Sequence, residues 1–351
     1  MVPNLQTFLQ KDFALWLDRV WDAKTLSFHD RIEADDRIDP ARERLLLVQA
    51  RMAFSLAHLA LLSNSASKDR LSQLALTTAE GLQAYRLESG LYGRVIGGAP
   101  LAYDQSFVLL ALATCYKLDP HQERLAAMEA LWQAAAQMRH EPSGLFWDGD
   151  LPLAQNPQMH FYEALLQAYE MTGKAEWLTR AITLRQKALA IFFDPISGSL
   201  AEFEGQERRE FGHQYEWAWL LLREAEFAPD PDLNLTAKRL GQFAQRFGHA
   251  PSGAVYDAAR PSGEVSEASC LLWPQTEAVK YFAITGRKEE ALALMSLIFK
   301  QWFKGAPLWV NQIDPEGKVL QPQSFTRLFY HLVLAITEGM RAGLWHGDFH
   351  A

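Results

Sequence analysis

The chain has little cysteine. Cys115 and Cys270 are the two in 351 residues, and no CxxC pair exists. A disulfide framework and a thiolate metal site are thereby excluded. There is no basic run, and the formal net charge is −8, which excludes nucleic acid and an anionic membrane as natural partners. No apolar stretch reaches the roughly 18 residues that a membrane-spanning helix requires. The opening segment MVPNLQTFLQKDF has no basic region leading into an apolar one, so it does not read as a signal peptide. No HxH or HxxxH pair occurs outside the tail LWHGDFHA, which reads as an exposed end; no metal and no cofactor is expected. TGK at 172–174 has Ala168 where a phosphate loop needs its first Gly. GLYGRVIGG at 90–98 follows no evident strand, so it is no dinucleotide fingerprint. These absences leave a soluble protein of a reducing compartment, most simply cytoplasmic.

What is present is apolar and repetitive. Hydrophobic residues make up 49% of the chain, with 11 Trp, 20 Phe and 10 Tyr, ample for a large core. Ser-Gly pairs stand at Ser89-Gly90, Ser143-Gly144, Ser197-Gly198 and Ser252-Gly253, at intervals of 54, 54 and 55 residues. A fixed period of this length marks one supersecondary unit used repeatedly. Ser262-Gly263 is out of phase, so the flanking sequences matter: PSGLFWD, DPISGSLAEF and APSGAVYDA share a turn followed by an apolar stretch.

Each period holds two helical patterns. Residues 156–172 carry apolar side chains at helical spacing, and Thr172-Gly173-Lys174 ends that helix. AEWLTRAITLRQKALAIFF follows as a second helix with one charged face, and the same turn returns at Thr285-Gly286-Arg287. Six such hairpins need about 324 of the 351 residues. The expected fold is therefore all-α, a single (α/α)6 barrel of six helical hairpins over residues 1–351. Inner helices are apolar all round and outer helices amphipathic. An open solenoid is the alternative, although the ends are no more polar than the middle.

The chemically loaded residues fall near the starts of the inner helices. Arg51, Tyr103, His160, His213, Trp273 and His331 are 52, 57, 53, 60 and 58 residues apart, which is again the repeat. In a closed barrel they form a ring at one mouth. Taken singly, each has a scaffold reading. His160 and His213 could be capping or core histidines, and Arg51 with Asp104 a buried ion pair. Trp273 before Pro274 could anchor a helix start. His213 and Glu216, three apart, could simply hydrogen-bond. Recurrence at one phase favours a shared site.

At these same residues the chain resembles the N-acylglucosamine 2-epimerase superfamily. The similar stretches are LLLVQARMAF, YDQSFVLLALA, NPQMHFYEALLQAYEMTG, GHQYEWAWLLL, LWPQTEAVKY and YHLVLAITE, in order along nearly the whole chain. The resemblance implies the (α/α)6 barrel and metal-free proton transfer beside a carbonyl. It implies that His213 and His331 are the acid–base pair, with Glu216 orienting His213 or holding a hydroxyl. Asn156 and His160 would bind substrate and assist ring opening, Arg51 would hold sugar oxygens, and Tyr103 and Trp273 would shape the pocket. An arginine before the GHxxEW motif also contacts substrate; Arg209 is taken for that role, with Arg208 competing. The departures are Phe211 in place of a usual Pro, an uncommon approach FTRLFYH to His331, and a short segment between Glu202 and Gly212.

The expected activity is isomerisation of a mannose-type monosaccharide at C2 through a cis-enediolate, of the mannose–fructose kind. Imidazole, with a pKa of about 6.5, both takes and returns a proton at neutral pH. The alternatives are 2-epimerisation of an N-acylated hexosamine or of glucose/mannose-type sugars, an (α/α)6 glycosidase, and a non-catalytic sugar-binding barrel. A glycosidase would pair Glu216 with Asp104 or Glu277, leaving the histidines unexplained. Sugar phosphorylation and oligomeric state, a homodimer included, stay open at this level.

Overall fold

The computed structural model describes residues 2–63, 66–149, 151–303 and 307–351. They fall into two compact units. One comprises Leu17–Arg31, Ile38–Ile191 and Ala351; the other comprises Met1–Trp16, Ile32–Arg37 and Phe192–His350.

The helices are α1 (Pro3–Thr7), α2 (Phe13–Val20), α3 (Leu46–Leu62), α4 (Ser67–Gly81), α5 (Ala102–Leu118), α6 (Gln122–Ala135), α7 (Gln155–Thr172) and α8 (Ala175–Phe192). They continue as α9 (Phe211–Phe227), α10 (Pro231–Phe247), α11 (Leu272–Ile284), α12 (Lys288–Gln301) and α13 (Phe329–Arg341). A π-helical turn, Phe8–Asp12, joins α1 to α2. In the first unit α3, α5 and α7 pack side by side, with α4 and α6 behind them. In the second, α9, α11 and α13 do the same, backed by α10 and α12. The inner helices are buried nearly all round, α5 from Ala102 to Cys115 almost without a break. The outer α10 buries one stripe, including Leu233, Ala237, Leu240 and Ala244. Polarity on one side or none is what separates the two layers.

Local chemistry sets the ends. Gly173 closes α7 in the left-handed region at φ 69°, as its position after Thr172 predicts. Pro231 opens α10, with the Asp230 side chain accepting from the Asp232 N–H at 3.0 Å.

The Ser-Gly period marks the hairpin connections. Gly90, Gly144, Gly198 and Gly253 all have positive φ, between 67° and 89°. Each turns the chain back after an outer helix, and the residue two positions on is gripped by a glutamine. Tyr92, Phe146, Leu200 and Val255 exchange backbone N–H and C=O hydrogen bonds with the side chains of Gln105, Gln158, Gln214 and Gln275, at 2.6–3.0 Å. Gln49 holds Phe28 in the same way, and there Leu26, at φ 51°, takes the glycine's place. Each glutamine is the fourth residue of an inner helix. α13 has Leu332 at that position.

The sixth inner helix finds its partner at the other end of the chain. Phe13 stacks on Phe329 of α13 at 5.2 Å and 10°, and Trp16 lies 4.5 Å from the same ring. The tail corrects its reading as an exposed end. Trp345 and Phe349 are buried, the Trp345 indole donates to the Ile336 carbonyl at 2.8 Å, and Phe349 meets Phe13 edge-on at 5.0 Å. The reason is apolar: two large rings withdraw from water, and Gly339 leaves room where a Cβ would meet the Trp345 ring.

Candidate active site

The residues singled out by the repeat fall into two sets, one in each unit. In the first unit, Arg51 of α3 donates to the Tyr103 hydroxyl at 2.6 Å and lies over the Phe107 ring at 4.2 Å. His160 of α7 sits 5.3 Å from Tyr103 and 4.6 Å from Phe107, centroid to centroid. Its Nδ1 bonds Glu163 at 3.0 Å. Asn156 lies one turn earlier on α7, and its Oδ1 has no hydrogen-bond partner among the described residues. Asp104, buried beside this set, has its pKa raised by burial to about 6, against the pull of Arg94 and Arg51.

In the second unit, the Trp273 ring lies 4.7 Å from His213 and 5.8 Å from His331. Gly212 makes this possible, because a Cβ there would collide with the indole. Both histidines are about 95% buried. Each has its Nδ1 on a carboxylate: His213 on Glu202 at 2.7 Å, with Glu210 at 3.3 Å, and His331 on Glu277 at 2.7 Å. That bond places the neutral ring's proton on Nδ1 and makes Nε2 the nitrogen able to take another. Burial alone would lower the His213 pKa. The charges of Glu202 and Glu210, the hydrogen bond to Glu202 and the charge of Glu216 outweigh it and lift the value to about 9.

Glu202, not Glu216, holds the His213 Nδ1. Neither Glu216 oxygen has a hydrogen-bond partner among the described residues. The Lys280 ammonium is 3.9 Å from Glu216 and 2.5 Å from Glu277. Glu202 was invisible as a partner, because it stands 11 residues upstream in a loop rather than one turn along the helix. Glu277, one turn after Trp273, was legible by spacing, but its bond to His331 bridges two helices. Arg208 bonds Glu210 and Glu267, at 3.0 Å each. Arg209 is buried against Ser199 at 3.1 Å and the Gln206 carbonyl at 2.7 Å. Within the second unit, two groups of described residues have the donors to hold a cation, Glu202–Glu210–His213 and Glu216–Glu277–His331, each with ligand atoms within 4.8 Å. Lys280 already lies against the second.

A mannose-6-phosphate isomerase of Rhizobium meliloti is 31% identical over 275 residues, 70% of this chain and 71% of the relative. A D-mannose isomerase of Thermobifida fusca is 28% identical over 228 residues, 56% of each chain. The crystal structure of a D-mannose isomerase superposes with a TM-score of 0.84 at 20% identity, covering 97% of this chain and 98% of the other. That likeness shows the fold, an all-α (α/α)6 barrel. The profile of the family described as N-acylglucosamine 2-epimerase matches residues 27–335, and the chain belongs to that family.

Proposed function

We propose that this protein is a sugar isomerase that interconverts a mannose-type aldose and its ketose at C2, acting over residues 1–351 as one catalytic domain. The observation that carries the reading is the pair His213 and His331: both buried, both against Trp273, each with Nδ1 bound to a carboxylate. His331 takes the C2 proton of the open-chain sugar on Nε2. The released electron pair forms the C1=C2 bond, and the carbonyl electrons move to O1. His213, a cation at neutral pH, gives O1 its proton. His331 then returns its proton to C1 while the O2 hydroxyl proton passes to His213, leaving a ketose and both rings restored. Arg51, Tyr103, Asn156 and His160 are assigned to binding and ring opening. Glu216 is left to hold a sugar hydroxyl, and Trp273 to wall the reacting carbons.

Arg209 is assigned to support the loop of Glu202, because its Nε and Nη1 donate to Ser199 and to the carbonyls of Gln206 and Arg208. Arg208 is likewise occupied by glutamates. With neither arginine offered to a phosphate, the substrate is read as unphosphorylated. The reaction is read as metal-independent and cytoplasmic; both cysteines are free thiols, in keeping with a reducing compartment.

The test is incubation with mannose, mannose 6-phosphate, glucose and N-acetylmannosamine in D₂O with EDTA, followed by NMR. Ketose from mannose supports the reading. A C2-labelled epimer in its place makes the protein an epimerase, and loss of activity in EDTA removes the metal-free mechanism. His213→Gln and His331→Gln should each cost about 10²-fold or more in kcat.

A further inference from the structure

Lys280 has no accessible surface. Lysine is almost never fully buried unless it is paired. Its ammonium sits 2.5 Å from Glu277 Oε2, 3.9 Å from Glu216 Oε1 and 3.9 Å from the centroid of the Trp219 ring. The other oxygen of Glu277 holds His331 Nδ1 at 2.7 Å. One carboxylate thus lies between an ammonium and an imidazole.

The neighbouring elements bring further charged and aromatic groups, His213 of α9 among them, whose pKa the charge of Glu216 helps to raise. α9 contributes Glu216 and the face of Trp219, whose indole N–H donates to Glu338 of α13 at 3.0 Å. α13 contributes His331 and, beside its ring, Tyr330 at 4.7 Å. The charged residues of α12, Lys288, Glu289, Glu290 and Lys300, are not buried; its buried residues are apolar, Ala291, Leu294, Met295, Ile298 and Phe299.

Two buried carboxylates beside one imidazole would otherwise settle their charge in one of two ways. One acid would take up a proton, or the ring would be held as imidazolium. The second outcome disables a histidine that must be neutral to accept a proton from carbon. At His213, where Glu202 and Glu210 both approach the ring, the pKa does rise to about 9. We propose that Lys280 is a positioning residue, an internal cation that balances Glu277 and Glu216. Glu277 can then orient His331 without fixing it in the charged form. This rests on the reading of His331 as the base.

The test is Lys280→Met, similar in length and uncharged. Its kcat on mannose is expected to fall at least about tenfold, with KM changed less than about threefold. In ¹⁵N-histidine NMR at pH 7, the His331 resonances should move from the neutral Nδ1–H pattern to that of imidazolium. An unchanged kcat overturns the proposal, as does a lower kcat with an unchanged spectrum. The NMR measurement needs no substrate, so it decides the role of Lys280 even if the protein isomerises no sugar. Should Lys280→Met not fold, Lys280→Met/Glu277→Gln is compared with Glu277→Gln alone. With the carboxylate already neutral, their kcat values should agree within about threefold; a double variant about tenfold slower overturns the proposal.

Discussion

His213 carries a charge that its sequence context does not announce. Burial disfavours the imidazolium, yet Glu202, Glu210 and Glu216 bring its pKa to about 9. Two consequences follow from that one direction. If the cation supplies the proton to O1, kcat/KM falls as pH rises through about 9, and a pH profile of His213→Gln with its residual activity lacks that limb. The folded pKa also lies above the unfolded value of about 6.5. The stabilising contribution is therefore complete below about pH 6.5 and is lost as pH rises through 9. Urea midpoints measured from pH 6 to 10 should decline across that window, and the decline should be shallower in His213→Gln. Of the two roles the resemblance implies for Glu216, orienting His213 is the one its contacts do not carry, since neither Glu216 oxygen has a hydrogen-bond partner among the described residues. Residues three apart on a helix share a face, but a loop carboxylate can approach an imidazole end-on, and 2.7 Å from Glu202 is the result.

Among elements, the recurring device is the glutamine clamp. Its sequence signal stands in five of the six motifs that carry the family resemblance, VQARM, YDQSF, NPQMH, GHQYE and WPQTE; YHLVLAITE lacks it. The glutamine sets the phase of each inner helix against the turn before it. Arg51, His160, Glu216 and Glu277 all stand two residues after their glutamine, and Tyr103, Asn156 and Trp273 two before. Gln158→Leu leaves a buried N–H and a buried C=O of Phe146 unpaired, and should cost about 2–4 kcal/mol by denaturant unfolding. Leu26 gives the opposite sign. It is half exposed and holds the left-handed conformation that glycine holds in the other turns. Leu26→Gly should therefore stabilise by about 1 kcal/mol in the same measurement.

At the scale of the chain, the repeat predicts six inner helices, and the described residues hold six: α3, α5, α7, α9, α11 and α13. The count was legible because burial and helix length impose a common period on every unit. The pairing of the last was not. Successive hairpins are closed locally, whereas α13 is covered by aromatic residues from the first 16 positions, Phe13 and Trp16, which pack on Phe329. Phe13→Ala should cost about 3–5 kcal/mol, read from thermal or urea unfolding, although the residue is far from His331 in sequence.

The sequence by itself determined the layer of each helix, the turns between hairpins and the phase at which polar residues recur. These follow from local periodicity and from residues that can adopt only certain backbone conformations. Tertiary structure alone decided which carboxylate meets which histidine, that both arginines before the GHxxEW motif are occupied, and that a fully buried lysine joins two acidic residues. Such contacts join side chains from different helices and loops, and their cost or gain depends on how far water is excluded. Spacing along one chain carries no record of that.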